Sequence, residues 1–194
     1  MVQGGLINGA FWQSDTTWDD LRIIPGAFDF AGSSDPTLTD WQPTGLGTTF
    51  KLYAFQSTNE VFFTAQMPHG WKVGTSMYPH VHWTPGPHGV VEGTKTVAWT
   101  LDYTIADIGG TFGASATLDM TDTCTGVNEA HLMTPTPELD CSAITGPSAM
   151  LVCRLYRAAG DTWAGTVPAD SPFLLEIDFH YEQDTLGSRT PSAK

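Results

Sequence analysis

Between residues 94 and 108 apolar and polar positions alternate without a break. Val97, Trp99, Leu101, Tyr103 and Ile105 fall on one face, and Ala98, Thr100, Asp102, Thr104 and Ala106 on the other. A period of two places successive side chains on opposite faces of a strand, so this segment is predicted to be a strand with one buried face. Residues 173–183 follow the same rule, with Phe173, Leu175, Ile177, Phe179 and Tyr181 opposed to Leu174, Glu176, Asp178, His180 and Glu182. Two further runs, residues 49–56 and 60–67, are separated by the polar group Ser57-Thr58-Asn59 and read as a hairpin. In residues 77–84, Pro79, Val81 and Trp83 alternate with Tyr78, His80 and His82, which gives a strand whose second face is unusually polar.

Shorter runs at residues 116–123 and 149–157 add two strands. The stretch 19–30 holds an apolar run broken by Pro25 and Gly26, and so reads as an edge strand. Residues 32–47 are rich in Gly, Ser, Pro and Thr and are expected to be loop, as is the connection carrying Cys124 and Cys141. About eight strands and no convincing amphipathic helix predict an all-β fold, an antiparallel two-sheet sandwich of jelly-roll type. Val97, Trp99, Leu101, Tyr103 and Ile105 are expected to meet Leu175, Ile177 and Phe179 in its core. The domain is assigned to residues 19–184, preceded by an extended arm (1–18) and followed by a polar tail (185–194). The arm is Gly-rich and carries Phe11, Trp12 and Trp18 without a period, so it is expected to be ordered by packing against a neighbour.

Composition sharpens this picture. A chain of 194 residues suits one all-β domain, and 41% hydrophobic residues are enough for its core. Only 15% of residues are charged, with a formal net charge of −13 and eight basic residues scattered along the chain, which speaks against nucleic acid as a partner. No run approaches the length of a membrane span, and the N-terminus lacks the basic and apolar regions of a signal peptide, so neither membrane insertion nor secretion is expected. Three cysteines without CxxC spacing argue against a disulfide framework or structural zinc, although one Cys124–Cys141 bridge stays open.

The sharpest chemical feature is Gly74-Thr-Ser-Met-Tyr-Pro-His80-Val-His82, in which two imidazoles project from one strand face. The spacing is similar to the start of the first cupin motif, where a Glu follows four or five residues later. Here Thr84, Pro85, Gly86 and Pro87 follow instead, then His88, and no second motif appears downstream. Two readings stand. In one, His80 and His82 are satisfied by a neighbour such as Asp102, Tyr78 or a backbone carbonyl. In the other, they bind a metal ion with a third ligand drawn from His88, His180, Asp102 or Asp178. Glu176 and Asp178 also share a face, which is more often a solvated surface than an acid pair for hydrolysis. Among the tryptophans Trp41, Trp71, Trp83 and Trp163, Trp83 is expected in the core. Trp71, in the turn after Pro68, His69 and Gly70, is expected at an interface with Phe11, Trp12 and Trp18.

The segments MPHGWKVGTSMYPHVHWTP, VAWTLDYTIADIGGTF and LLEIDFHYEQDTLGSRTPSAK together resemble a family of small proteins of about this length encoded among the virion structural genes of tailed bacteriophages. The resemblance runs from about Thr49 onward and rests on Pro68, His69, Trp71, Gly74, His80, His82 and Trp83, then Asp178, His180, Asp184, Gly187 and Ser188. It implies a jelly-roll decoration, or cement, protein made in the host cytoplasm and placed on the outer surface of the head. The implied partners are the major capsid protein and further copies of the chain, as a trimer. Catalysis is not expected, and no cofactor is expected. The alternatives are a tail or fibre module that binds carbohydrate, and a cupin-like metalloenzyme using His80 and His82.

Overall fold

The computed structural model describes residues 4–7, 10–13, 17–43, 47–86, 95–134, 137–163 and 167–187, with side chains from residue 17 onward. In chain order its strands are β1 (Gly4–Ile7), β2 (Ala10–Gln13), β3 (Thr17–Ile23), β4 (Thr37–Trp41), β5 (Phe50–Ala54) and β6 (Glu60–Gln66). They continue with β7 (Met77–Thr84), β8 (Thr96–Ala106), β9 (Ala116–Thr123), β10 (Leu132–Met133), β11 (Met150–Arg157) and β12 (Phe173–Gln183). Helical structure among the described residues is confined to short 3-10 pieces, which include Pro25–Ala27 and Pro168–Asp170, each opened by a proline. None is long and apolar enough to cross a membrane.

Two antiparallel sheets form a sandwich, as the alternation predicts. One has the order β6-β11-β8-β9. The other runs β10-β7-β12-β5-β4, with β3 also paired to β12. The two long strands, β8 and β12, are interior to their sheets, each paired along both edges. β12 pairs along one edge with β7, and along the other with β5 at Phe173 and Leu174 and with β3 from Ile177 to Gln183. β3, which among the described residues pairs with β12 alone, is an edge strand, as expected. β1 and β2 form a two-stranded sheet of their own, Gly4 opposite Gln13 and Ile7 opposite Ala10.

The core lies between the sheets. Val97, Trp99 and Leu101 of β8, Leu151, Cys153 and Leu155 of β11 and Val61 and Phe63 of β6 meet Met77, Val81 and Trp83 of β7 and Ile177, Phe179 and Tyr181 of β12. The expected contribution of Leu175 is corrected. The register of β12 against β7 shifts between Leu174 and Glu176, Leu175 is the extra residue, and Leu174 takes the buried place opposite Trp83. A bulge adds one residue to one strand and so reverses the phase of alternation on one side of it. Ile105 packs only partly buried at the rim.

Residues 37–41, expected as loop, are the edge strand β4. Their burial is slight and they carry no apolar period, because the strand is held by backbone pairing to β5. All three cysteines are buried and free, so the Cys124–Cys141 bridge is not formed. Burial pushes the Cys153 thiol up to about 12, and burial, aided by the Asp140 carboxylate, does the same to Cys141. At pH 8 a thiol of pKa about 12 exposes about a thousandth of the thiolate of an ordinary one. Alkylation of these two residues in the folded protein is expected to be slow at pH 8 and to become fast on unfolding, as mass spectrometry of the labelled protein would read. Because both folded values lie above the ordinary 9.0, the stability linked to these thiols is whole below that pH and is lost as pH rises toward the folded values.

Candidate functional site

The polar face of β7 is turned away from the core because Met77, Val81 and Trp83 occupy the other face. Pairing then builds rows across three strands. His80 lies opposite Asp178, which lies opposite Arg22. Tyr78 lies opposite His180, which lies opposite Asp20. His82 is one step further along β7, opposite Glu176. The turn feeding β7 depends on Gly74, whose φ of 83° is left-handed backbone that glycine adopts without a Cβ clash.

At the middle of this face His80 Nδ1 lies 3.1 Å from Asp178 Oδ1, and His82 Nε2 lies 3.0 Å from Asp178 Oδ2. One carboxylate thus takes both imidazoles, one on each oxygen. Its side chain is 7% exposed, against 18% for His80 and 15% for His82. Burial pushes the Asp178 carboxyl above its ordinary value; His82 and His80 pull it back down, and Asp20 adds to the rise. The donor atoms of His80, His82 and Asp178 all fall within 4.8 Å of one another.

A second ring of contacts surrounds these three residues. His131 Nε2 sits 2.8 Å from His82 Nδ1, the nitrogen turned away from Asp178. His131 arrives there because Leu132 and Met133 of β10 pair with Trp83 and His82 of β7. Arg22 is engaged by Glu176 through Nε and Nη2, so the carboxylates of Glu176 and Asp178 are committed to different partners and do not form an acid pair. His180 Nδ1 lies 2.6 Å from Asp20 Oδ1 and its ring stacks on Trp18, with centroids 4.9 Å apart and planes 2° from parallel. Trp18 also meets Tyr78 edge-on and remains 46% exposed.

The residues singled out in the sequence separate accordingly. His80 and His82 come together as expected, and the third member is Asp178. His180 stands beside them, its ring centroid 5.6 Å from that of His80, bound to Asp20. Asp102 lies in the other sheet, held by Arg154 and Thr117, and is not the neighbour of either histidine. His88 lies outside the described residues, as do the side chains of Phe11 and Trp12. Trp18 lies in β3, stacked on His180 and part exposed. Trp71, expected at an interface, is instead fully buried in the core, where its bridge to Gln183 closes the end of β12. Gly70 before it has no room for a Cβ, which would fall 2.4 Å from Gln183 Nε2. Trp83 and Trp163 are also buried. His131 escaped the sequence reading because it lies in a segment without periodicity, 49 residues from its partner.

The class defined by these observations is an antiparallel β-sandwich, jelly-roll-like, with a histidine and carboxylate cluster on the outer face of one sheet. No protein-family model matches the chain, and no curated protein sequence matches it.

Proposed function

We propose that the protein is a non-catalytic structural component of a bacteriophage particle, a decoration protein that bridges capsid subunits on the outer surface of the head. The observation that carries this reading is the separate sheet of β1 and β2, whose strands pair with each other and, among the described residues, with no strand of the sandwich. A lone two-stranded hairpin is marginal in water, so one of sequence Gly-Gly-Leu-Ile and Ala-Phe-Trp-Gln calls for a surface to pack on. The major capsid protein and neighbouring copies in a trimer are the proposed surfaces. The resemblance of three segments to phage virion proteins supports the same reading, as do the sandwich fold and a net charge of −13 on a chain that would face solvent. Trp18, at the inner end of the arm, is already part of β3, stacked on His180 and half exposed, and so is a suitable aromatic anchor. A stable contact needs about 1,200–2,000 Å² in total, and many copies around one shell let each contribute little.

Electron microscopy of the virion with copy number from quantitative mass spectrometry tests the proposal. Many copies spread over the head are expected, and deletion of residues 1–16 should abolish binding to heads that lack the protein while leaving the sandwich folded. A few copies confined to the tail would overturn it in favour of a carbohydrate-binding tail module.

A further inference from the structure

From the convergence of His80, His82 and Asp178 we infer a binding site for one divalent transition-metal ion, zinc-like in its preference, on the outer face of the β7–β12 pair. Three donors of the right kind already lie together on one face. His80 Nδ1 and His82 Nε2 flank the two oxygens of Asp178 at 3.1 and 3.0 Å, and all lie within 4.8 Å of one another. Ligand atoms held about 2.0–2.2 Å from a tetrahedral zinc ion are about 3.3 Å apart. Each imidazole nitrogen is that close to one oxygen of Asp178, His80 to Oδ1 and His82 to Oδ2, and an ion seated between them would replace these two hydrogen bonds.

The backbone supports this set rigidly. His80 and His82 are two residues apart on one strand face, and Asp178 is the direct partner of His80 on the next strand, so no ligand depends on a loop. Charge favours the ion as well. Asp178 is nearly buried, and Arg22, the guanidinium of the adjoining strand, is committed to Glu176. His131 holds the far nitrogen of His82, the outer contact that fixes the ring and tautomer of a metal-binding histidine.

Two imidazoles and one carboxylate select a borderline transition ion. Calcium and magnesium favour ligand shells made wholly of oxygen. With three protein ligands the coordination sphere keeps a position for water or an exogenous donor, as zinc sites do when they are not purely structural. This inference does not depend on the capsid reading, since the ligands lie on strands of the sandwich and not on the arm.

Zinc and cobalt(II) titrations of the full chain, purified without chelators and followed by calorimetry, test the site, with cobalt read also by its visible ligand-field absorption. One equivalent of each ion is expected to bind, with paramagnetic broadening of the ring protons of His80 and His82 by cobalt. Asp178→Asn and the double variant His80→Ala, His82→Ala should lose the absorption, and His131→Ala should weaken binding by about 10–100-fold. Far-ultraviolet circular dichroism on each variant verifies that the sandwich remains. Absence of one-to-one binding by the wild-type chain would overturn the site, as would undiminished affinity in folded Asp178→Asn. The cobalt broadening decides the matter on the wild-type protein should a variant fail to fold.

Discussion

Asp161→Ala is expected to destabilise the protein by about 3–5 kcal/mol, because it strands a buried guanidinium. Arg157 closes β11, and its side chain is 1% exposed, with that of Asp161 at 4%. The pair is bidentate: Arg157 Nε donates to Asp161 Oδ2 at 2.7 Å and Nη2 to Oδ1 at 2.9 Å. Nη1 donates to the Phe55 carbonyl at 3.0 Å, and Nη2 also reaches the Trp163 carbonyl. One side chain from one sheet thereby fastens the end of β5 in the other and the loop that brings Trp163 against Trp83. Removing the carboxylate leaves the positive charge without its counterion in a place water reaches poorly. The loss should appear in urea denaturation and as a fall in melting temperature of about 6–20 °C for a domain of this size. Replacing both residues by apolar side chains of similar volume is expected to cost much less, since desolvation of the pair offsets most of its attraction. Equal losses in the single and double variants would show that packing, not charge, is what the pair supplies. Added salt should change the single-variant loss little, because buried pairs are weakly screened.

The fold was legible where burial imposes a period on the chain. β7, β9 and β12 fall at the residues that alternation assigns, and β8 falls within them, because each has one face against a common core. Legibility failed where the backbone decides alone. β4 has no buried face, and the bulge at Leu175 leaves no mark in the hydrophobic pattern yet reverses which of Leu174 and Leu175 is inside. The site was half legible for a related reason. Spacing puts His80 and His82 on one face, and the charged alternate face of β12 contains Asp178, but pairing β12 to β7 is a long-range fact. His131 depends on the two-residue strand β10, too short to carry any period. The resemblance motif reads partly as folding chemistry. Trp71 fills the core, Gly70 lets Gln183 approach, and His69 Nε2 lies 2.6 Å from Ser148 Oγ. Burial of Trp71 removes it from the interface, since a large ring in a turn is as well suited to plugging the end of a sandwich as to meeting a partner.

Trp83→Ala should rank with loss of Asp161, costing about 3–5 kcal/mol as large aromatic deletions from cores do. The indole is fully buried, packs edge-on to Trp163 with centroids 5.9 Å apart, and lies opposite Leu174 across the strand pair. It also joins the two sheets by a polar bond: its Nε1–H donates to Asp122 Oδ2 of β9 at 2.9 Å. Truncation therefore removes apolar contact, opens a cavity beneath β7, and releases a carboxylate at the margin of the sandwich. Trp83→Phe separates these effects. It keeps most of the ring volume and loses the hydrogen bond, so its expected cost is about 1.5–3 kcal/mol, the order of one hydrogen bond to a charged group. Asp122→Ala should cost a similar amount, and the double variant Trp83→Phe, Asp122→Ala little more than either alone, because the bond can be lost only once. Strict additivity of the two losses in urea denaturation would mean that the indole holds its place by packing only. Because Trp83 adjoins His82 on the strand, Trp83→Ala should also loosen the outer face, while Trp83→Phe, which preserves the core contact, should leave the separation of His80, His82 and Asp178 unchanged.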